Sequence, residues 1–308
     1  MSEARESTGN SLFDGGRYRL AMGLTPQSEA EWLAPDGSLR ETLAEKSGLL
    51  ATRHECVFRA LPEASAGSIE LLQLLAEHLT RRFPSFYRFD GAHSLFNSAN
   101  GEAWNIEAPP LHPLDLAARL VAEDFCLLQA SRGGYRLIGA SLCFPNRWLL
   151  EEKIGQPLDF IHSPVPGFAP ALQRPVAHFF EALKPDRILA RVNWGIADDP
   201  ARFQPVGRDA DAAITAANAG SALYLRVERQ TLRRLPQSGA VLFTIRTEIT
   251  PLDRVIATCN DAVDLAGAIR DMSPAMLRYK HLTGVAPALL AWLDARQKIE
   301  SDDEQGGS

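Results

Sequence analysis

The fold is decided by residues 222–249, which read ALYLRVERQTLRRLPQSGAVLFTIRTEI. Two runs in this stretch, 222–230 and 240–249, alternate their side chains with a period of two, as β-strands with one buried face do. In the first run, Leu223, Leu225 and Val227 alternate with Tyr224, Arg226 and Glu228. In the second run, Val241, Phe243 and Ile245 alternate with Leu242, Thr244 and Arg246. We therefore predict two strands of one antiparallel sheet.

Three further strands are predicted outside this stretch. Residues 125–130 and 135–144 flank the sequence Ser-Arg-Gly-Gly at 131–134, which is a hairpin signature, and residues 188–196 form the third strand. Strands joined by hairpins and one helical connection form an antiparallel sheet. Because no strand leads through a glycine-rich loop into a helix, the predicted class is α+β rather than doubly wound.

Helical periodicity, capping residues and proline or glycine stops predict the helices. The predicted helices span residues 68–83, 113–125, 146–155, 170–184, 262–272, 273–281 and 287–299. Residues 1–15 and 301–308 are expected to be flexible tails. Residues 16–300 are expected to form a single domain with helical extensions at both ends.

The composition excludes several classes of protein. The 308 residues carry a net charge of −6, which argues against binding nucleic acid through overall charge. The four cysteines show no C-x-x-C spacing, so a zinc ribbon or iron–sulfur site is not expected. No secretory signal and no apolar run of membrane-spanning length is recognised. We expect a protein of the reducing cytoplasm that binds neither nucleic acid nor membrane.

Generic catalytic motifs are missing from the sequence. It contains no G-x-G-x-x-G, G-x-x-x-x-G-K-[ST], H-E-x-x-H or G-x-S-x-G. Composition and periodicity alone therefore predict only an α+β domain.

Seven short segments between Tyr18 and Lys280 are more specific. They are EDFCLL (123–128), CFPNRW (143–148), EKIG (152–155), IHSPVP (161–166), RVNW (191–194), LRVERQTLRRLP (225–236) and FTIRT (243–247). In composition and order these segments resemble the α-subunit family of the haem-dependent oxidative N-demethylases, the dimethylamine monooxygenases. The resemblance extends over nearly the whole chain.

The resemblance implies a PAS-like domain that binds haem b in a pocket between its sheet and its helices. Family members oxidise a small secondary amine, such as dimethylamine, with O₂. The N-methyl group is hydroxylated, and the product collapses to formaldehyde and a primary amine. The electrons come from NADPH through FMN and a 2Fe-2S centre on a reductase subunit, and a folate-dependent subunit uses tetrahydrofolate to take up the formaldehyde. These further cofactors are expected only on the partner subunits.

His162 is the haem ligand that the resemblance favours. It follows a helix in a proline-bracketed segment with apolar neighbours, which can hold an imidazole in a fixed orientation. A lone histidine is otherwise usually a core or turn residue. His178 is the next candidate, whereas His112 before Pro113 is more simply a helix-entry residue. Cys143 could be a thiolate ligand but is better explained as a small buried residue.

The resemblance also assigns roles to charged strand residues. A protonated amine buried beside haem needs a carboxylate or carbonyl partner. Arg226 and Glu228 share a strand face, and Arg246 is placed on the corresponding alternation of the next strand. On this hypothesis Glu228 anchors the amine, and Arg226 and Arg246 contact dioxygen or a propionate. The alternative is a solvated face whose charges pair across the strands.

The basic residues before Pro236 have three possible roles. Arg229, Arg233 and Arg234 could bind haem propionates, dock an acidic reductase, or form a solvated turn. Asn193 and Trp194 are predicted to line the haem pocket, although a strand tryptophan is more often a core residue. Lys153 is expected to be a structural ion-pair partner.

Two functions other than an oxygenase compete with this interpretation. The first is a haem-PAS gas or redox sensor without turnover, since a fold does not determine a function. Against it, no output domain is visible in the sequence. The second is a partner-binding protein that has kept the fold without haem.

Overall fold

The computed structural model describes residues 12–91, 93–207 and 213–305, with side chains as far as residue 297. The strands are β1 (Thr25–Pro26), β2 (Phe58–Ala60), β3 (Tyr87–Asp90), β4 (Ser94–Asn97), β5 (Glu102–Asn105), β6 (Asp124–Ser131), β7 (Gly134–Ser141), β8 (Ile188–Ala197), β9 (Tyr224–Arg234) and β10 (Val241–Pro251). The helices are α1 (Leu39–Thr52), α2 (His54–Val57), α3 (Ser65–Arg82), α4 (Pro113–Leu120), α5 (Leu150–Lys153), α6 (Leu158–His162), α7 (Phe168–Ala182), α8 (Ala219–Ala222), α9 (Leu252–Val255), α10 (Cys259–Asp271), α11 (Pro274–Tyr279) and α12 (Ala286–Gln305), with a 3₁₀ turn at Pro62–Ala64.

The main sheet has seven antiparallel strands in the order β1-β8-β9-β10-β6-β7-β2. The five long strands are those predicted from the two alternating runs, from the hairpin at 131–134 and over 188–196, so the α+β class with an antiparallel sheet is confirmed. The predicted hairpin joins β6 to β7, and Gly134 there takes a positive φ of 97°, which glycine adopts without strain. A second sheet, β3-β4-β5, was not predicted.

The two faces of strands β8, β9 and β10 have different surroundings. We define the front face as the face that carries Asn193, Glu228 and Thr247. These residues lie directly opposite one another on the three strands. The back face carries Val192, Arg229 and Arg246, which form the neighbouring row. Alternation along each strand separates the two rows by one residue.

Helices α5, α6 and α7 cover the front face, because they form the connection between β7 and β8. Their apolar side chains, among them Ile161, Val176 and Phe180, pack in one cluster with Leu232 and Ile245 of the sheet. The back face of β6 and β10 is covered instead by α1, α3 and α4. Beside β8 and β9, the C-terminal helices α10 to α12 pack against the end of the sheet.

Two helix predictions were too long. The helix predicted over 113–125 ends at Leu120, and Asp124 already opens β6. The buried Lys46 ammonium explains this end, because it donates to the carbonyl oxygens of Val121 and Glu123 and lies 3.7 Å from Asp124 Oδ1. The helix predicted over 146–155 is reduced to α5.

The predicted N-terminal tail lies mostly outside the described residues, which begin at Leu12. Phe13 is buried and packs edge-on against Trp194. The last three residues of the C-terminal tail, 306–308, also lie outside them. Within the described part of the chain, no helix combines the length and the apolar character that a bilayer crossing requires.

Candidate functional site

His162 ends the short helix α6 on the front side of the sheet. Its Nδ1–H donates to the carbonyl oxygen of Leu158 at 2.8 Å, and its ring stacks on Phe168 with centroids 4.7 Å apart. Burial lowers the pKa of His162, and the positive charge of Arg191 lowers it further. The imidazole is therefore neutral at pH 7, and its Nε2 lone pair has no hydrogen-bond partner among the described residues. A histidine oriented in this way can ligate a metal through Nε2.

Arg191 is the charged neighbour that sequence reasoning did not select, although it opens the RVNW segment. It lies on the front face of β8, directly opposite Gln230 of β9. Its Nε is buried and has no hydrogen-bond partner, and burial lowers the pKa of the guanidinium. Because a buried unpaired donor is costly, the group is suited to an anionic ligand such as a carboxylate.

Glu228 is the carboxylate at the centre of the front face. Its Oε1 accepts from Arg226 Nε at 3.0 Å, and its Oε2 accepts from Gln230 at 3.0 Å and from Asn193 at 3.4 Å. Only 8% of the residue is exposed. Three donors therefore fix the orientation of a negative charge that is largely removed from water.

Arg226 holds Glu228 in place rather than facing an open space. It is 2% exposed, and its Nη1 and Nη2 donate to the carbonyl oxygens of Arg202 and Phe144 at 3.0 and 2.6 Å. With Nε on Glu228, every nitrogen of the guanidinium already has a protein acceptor.

An aromatic and basic cluster closes the site at the edge of β8. Lys280 Nζ donates to the carbonyl oxygen of Trp194 at 2.7 Å and lies 5.3 and 5.6 Å from the ring centroids of Trp194 and Tyr18. Burial lowers the pKa of Lys280 to about 8, against the opposing effect of Glu228. The negative charge of Glu228 also helps to raise the pKa of Tyr279 after burial, the larger cause. The sequence analysis singled out Trp194, but Tyr18 and Tyr279-Lys280 entered it only as the two ends of the resembling region.

The expectation that Arg246 shares a face with Arg226 and Glu228 is wrong. The Cα partner of Arg246 is Arg229, whereas Glu228 is opposite Thr247, so Arg246 projects from the back face. Its Nη2 donates to Asp36 and, at 3.2 Å, to Ser38. The period of two was correct, but the register between the strands was off by one residue.

The predicted basic cluster before Pro236 is divided between the two faces. β9 continues to Arg234, so Arg229 and Arg233 point to the back and Arg234 points to the front. Arg233 lies over the Trp32 ring at 4.6 Å and 3.7 Å from Glu29. Arg234 donates to the carbonyl oxygens of Leu183 and Gly239 at 2.7 and 2.8 Å.

Adjacent residues of RVNW are likewise separated. Asn193 faces the front, where it donates to Glu228, and Trp194 lies opposite Val227 and belongs to the cluster at the C-terminal helices. The Trp194 ring is connected to the site by its contact with Lys280, whose Nζ lies 5.3 Å from the ring centroid.

The alternative ligands of the sequence analysis are less well placed than His162. His178 is exposed on α7. His112 caps α4, since its Nδ1 accepts from Leu114 N–H at 3.2 Å, as expected of a helix-entry residue. Cys143 is fully buried, and burial raises the pKa of its thiol, which opposes formation of a thiolate. Lys153 lies 5.6 Å from the Phe160 ring.

The residues present fit the haem that the resemblance implies. A single neutral histidine with a free Nε2, a flanking aromatic ring and a buried arginine without a partner are the groups that an iron porphyrin with anionic propionates would require. A family model described as haem-dependent oxidative N-demethylase, alpha subunit-like, matches residues 23–290. The match contains β1 to β10 and every residue of the candidate site described above except Tyr18. The chain therefore belongs to the haem-dependent oxidative N-demethylase, alpha subunit-like family.

Proposed function

We propose that this chain is the haem-binding oxygenase subunit of an oxidative N-demethylase whose substrate is a small secondary amine of the dimethylamine type. Two observations carry the proposal: His162 on α6 has a free Nε2, and Glu228 on β9 is a buried, oriented carboxylate. Arg191 lies between them electrostatically, since its charge adds to the lowering of the His162 pKa by burial, and the charge of Glu228 counteracts the lowering of the Arg191 pKa by burial. Family membership supports an oxidoreductase. The carboxylate of Glu228 on the front face can pair with the positive charge of an amine substrate.

We propose His162 as the proximal ligand of haem b in a PAS-like pocket. The Leu158 carbonyl fixes the tautomer and the ring orientation, so the lone pair of Nε2 is directed away from the helix. Two strand hairpins joined across one face by helices α5 to α7 agree with a PAS-like arrangement. Arg191 is proposed to pair with a propionate, because its Nε lacks any other acceptor.

Glu228 is the proposed anchor of the amine. A secondary amine is protonated at pH 7, and transfer of its charge into a buried pocket is favourable only beside a compensating group. Glu228 is held in one orientation by hydrogen bonds from Arg226, Gln230 and Asn193. Arg226 is thus proposed as a positioning residue for Glu228.

Haem supplies the one-electron and O₂ chemistry that amino-acid side chains lack. The chain's own residues bind and orient the amine, exclude water from it, and can exchange its proton at the Glu228 carboxylate. The overall reaction balances as dimethylamine, O₂, NADPH and a proton giving methylamine, formaldehyde, water and NADP⁺. NADPH, FMN, 2Fe-2S and tetrahydrofolate are proposed to be bound by partner subunits, a reductase and a folate-dependent protein.

The test is an optical titration of the purified, haem-loaded protein. After reduction with dithionite, dimethylamine should shift the haem spectrum with saturation, and the isosteric but uncharged dimethyl ether should not. A spectrum that responds to neither compound would refute the proposed substrate class and favour a haem sensor. Failure to take up haem would refute the site.

A further inference from the structure

A large cavity lies against the back face of the sheet. Its volume is about 1060 Å³, with strands β8, β9 and β10 as its floor and the segments 12–14 and 23–37 as a wall. It adjoins the candidate site at Arg191 and Gln230, which also line it. This volume is at the upper end of what small-molecule sites require, and it far exceeds what a dimethylammonium ion would fill.

The acidic side chains around this cavity already have partners within the chain. An acid that is paired in this way does not call for a further cation. Six of the lining acids pair with described residues: Asp14 with Arg19, Glu31 with Ser28, Asp36 with Ser38 and Arg246, Asp261 with Thr258, and Glu123 and Glu248 with Arg246.

The hydrogen-bonding capacity that remains on the floor belongs to two arginines. Arg229 and Arg246 are directly opposite each other on β9 and β10, a pairing of like charges that destabilises a sheet. Arg246 is only 7% exposed, and its Nη1 lies 3.5 Å from Glu123 but is buried and donates no hydrogen bond. Arg229 makes no hydrogen bond or ion pair with any described residue. An anion between the two guanidinium groups would use these donors and reduce the repulsion.

The shape and charge of the lining narrow the kind of anion. The planar fork of a guanidinium group matches a carboxylate. The paired acids still give the cavity a negative surrounding, which opposes a dianion such as phosphate more than a monoanion. Val192, Leu225 and Val227 provide apolar contact area on the floor, which favours a hydrocarbon or aromatic body on the ligand.

We propose that the back-face cavity is a second ligand site, which binds a monocarboxylate with an apolar body through Arg229 and the free Nη1 of Arg246. The carboxylate lies between the two guanidinium groups, and the body of the ligand lies on the strand floor. The proposal does not depend on haem or on His162, and it leaves Arg191 to the candidate site of the front face.

Benzoate is a suitable probe, because its carboxylate is charged at pH 7 and its neutral relative benzamide has nearly the same shape. Isothermal titration calorimetry of the full chain should show saturable binding of benzoate, at least tenfold weaker binding of benzamide, and no competition by inorganic phosphate. Arg229→Gln should weaken benzoate at least tenfold. Arg132→Gln, which changes an exposed arginine in the β6-β7 hairpin, should leave the affinity unchanged.

Equal affinities for benzoate and benzamide, or an unchanged affinity in Arg229→Gln, would overturn the proposal, as would the absence of benzoate binding. If Arg229→Gln fails to fold, Val192→Phe provides a second test, since a phenyl ring directly opposite Arg229 should fill the floor and abolish binding. Equal benzoate affinities of the haem-free and haem-loaded protein would support a site separate from the front face. Displacement of benzoate by haem would place the haem in this cavity and overturn the proposal.

Discussion

Strands β8, β9 and β10 carry charged residues on both faces, and the two faces differ in how completely their polar atoms are paired. On the front, Arg226 has an acceptor for each nitrogen, and Glu228 receives three donors. On the back, Arg246 forms ion pairs with Asp36, Glu123 and Glu248, but its buried Nη1 donates no hydrogen bond. Beside the paired group of the front face, His162 Nε2 and Arg191 Nε have no hydrogen-bond partner among the described residues. Several charged residues of the back face, among them Glu123, Arg229 and Arg246, line a cavity of about 1060 Å³.

The largest expected difference concerns stability. Arg226→Ala leaves Glu228 buried without its closest cation and removes donors from two carbonyl oxygens, so it should cost ~3–5 kcal/mol. Arg246→Ala should cost less, because water in the cavity can solvate the carboxylates that remain. Urea unfolding of both variants measures the free energies. A larger loss for Arg246→Ala would reverse the proposed distinction between the faces.

The next effect concerns amine recognition. Glu228→Gln keeps the shape of the side chain but removes its charge, and charged hydrogen bonds contribute ~1.5–3 kcal/mol. The haem-loaded variant should bind dimethylamine about tenfold to a hundredfold more weakly, as measured by optical titration. Glu248→Gln, the matched change on the back face, should not alter the affinity. Equal effects of the two variants would remove Glu228 from the amine site.

The smallest effect is a titration at the edge of the front face. Burial lowers the pKa of Lys280 to about 8, from 10.5 for an exposed lysine. The folded state therefore holds this proton less tightly than the unfolded chain, and the buried lysine reduces stability increasingly as the pH falls from about 10 toward 8.

Lysine labelled with ¹³C at Cε makes this titration visible by NMR, since the chain has only five lysines. One signal should titrate with a midpoint of about 8 and disappear in Lys280→Met. Haem or amine bound nearby should move that midpoint. A signal near 8 that survives in Lys280→Met would belong to another lysine and contradict the assignment.

The sequence was sufficient for the central sheet because its strands alternate cleanly. The runs 222–230 and 240–249 correspond to β9 and β10, both of which extend beyond the predicted C-terminal ends. The hairpin at 131–134 was located correctly. Alternation tells which residues of one strand share a face, so Arg226 and Glu228 were paired correctly. It does not determine the register between strands, and Arg246 was assigned to the wrong face for that reason.

The rest of the candidate site depended on long-range packing. Arg191 differs from other arginines only because its Nε has no acceptor among the described residues. Lys280 reaches the site from the C-terminal end of α11, far along the chain from β9. Glu123 lies inside the helix predicted over 113–125. The structure gives it another setting, because Lys46 ends α4 early and β6 begins beside it. Such contacts carry no local sequence signal.

The most direct test of the central proposal is the haem content and absorption spectrum of His162→Ala beside wild type and His178→Ala. Wild type and His178→Ala should bind one haem each with the same ferric and ferrous spectra. His162→Ala should lose the haem or show a shifted spectrum, and added imidazole should restore the wild-type bands. An unchanged spectrum and haem content in His162→Ala would contradict the assignment of His162 as the ligand and of the front face as the haem site.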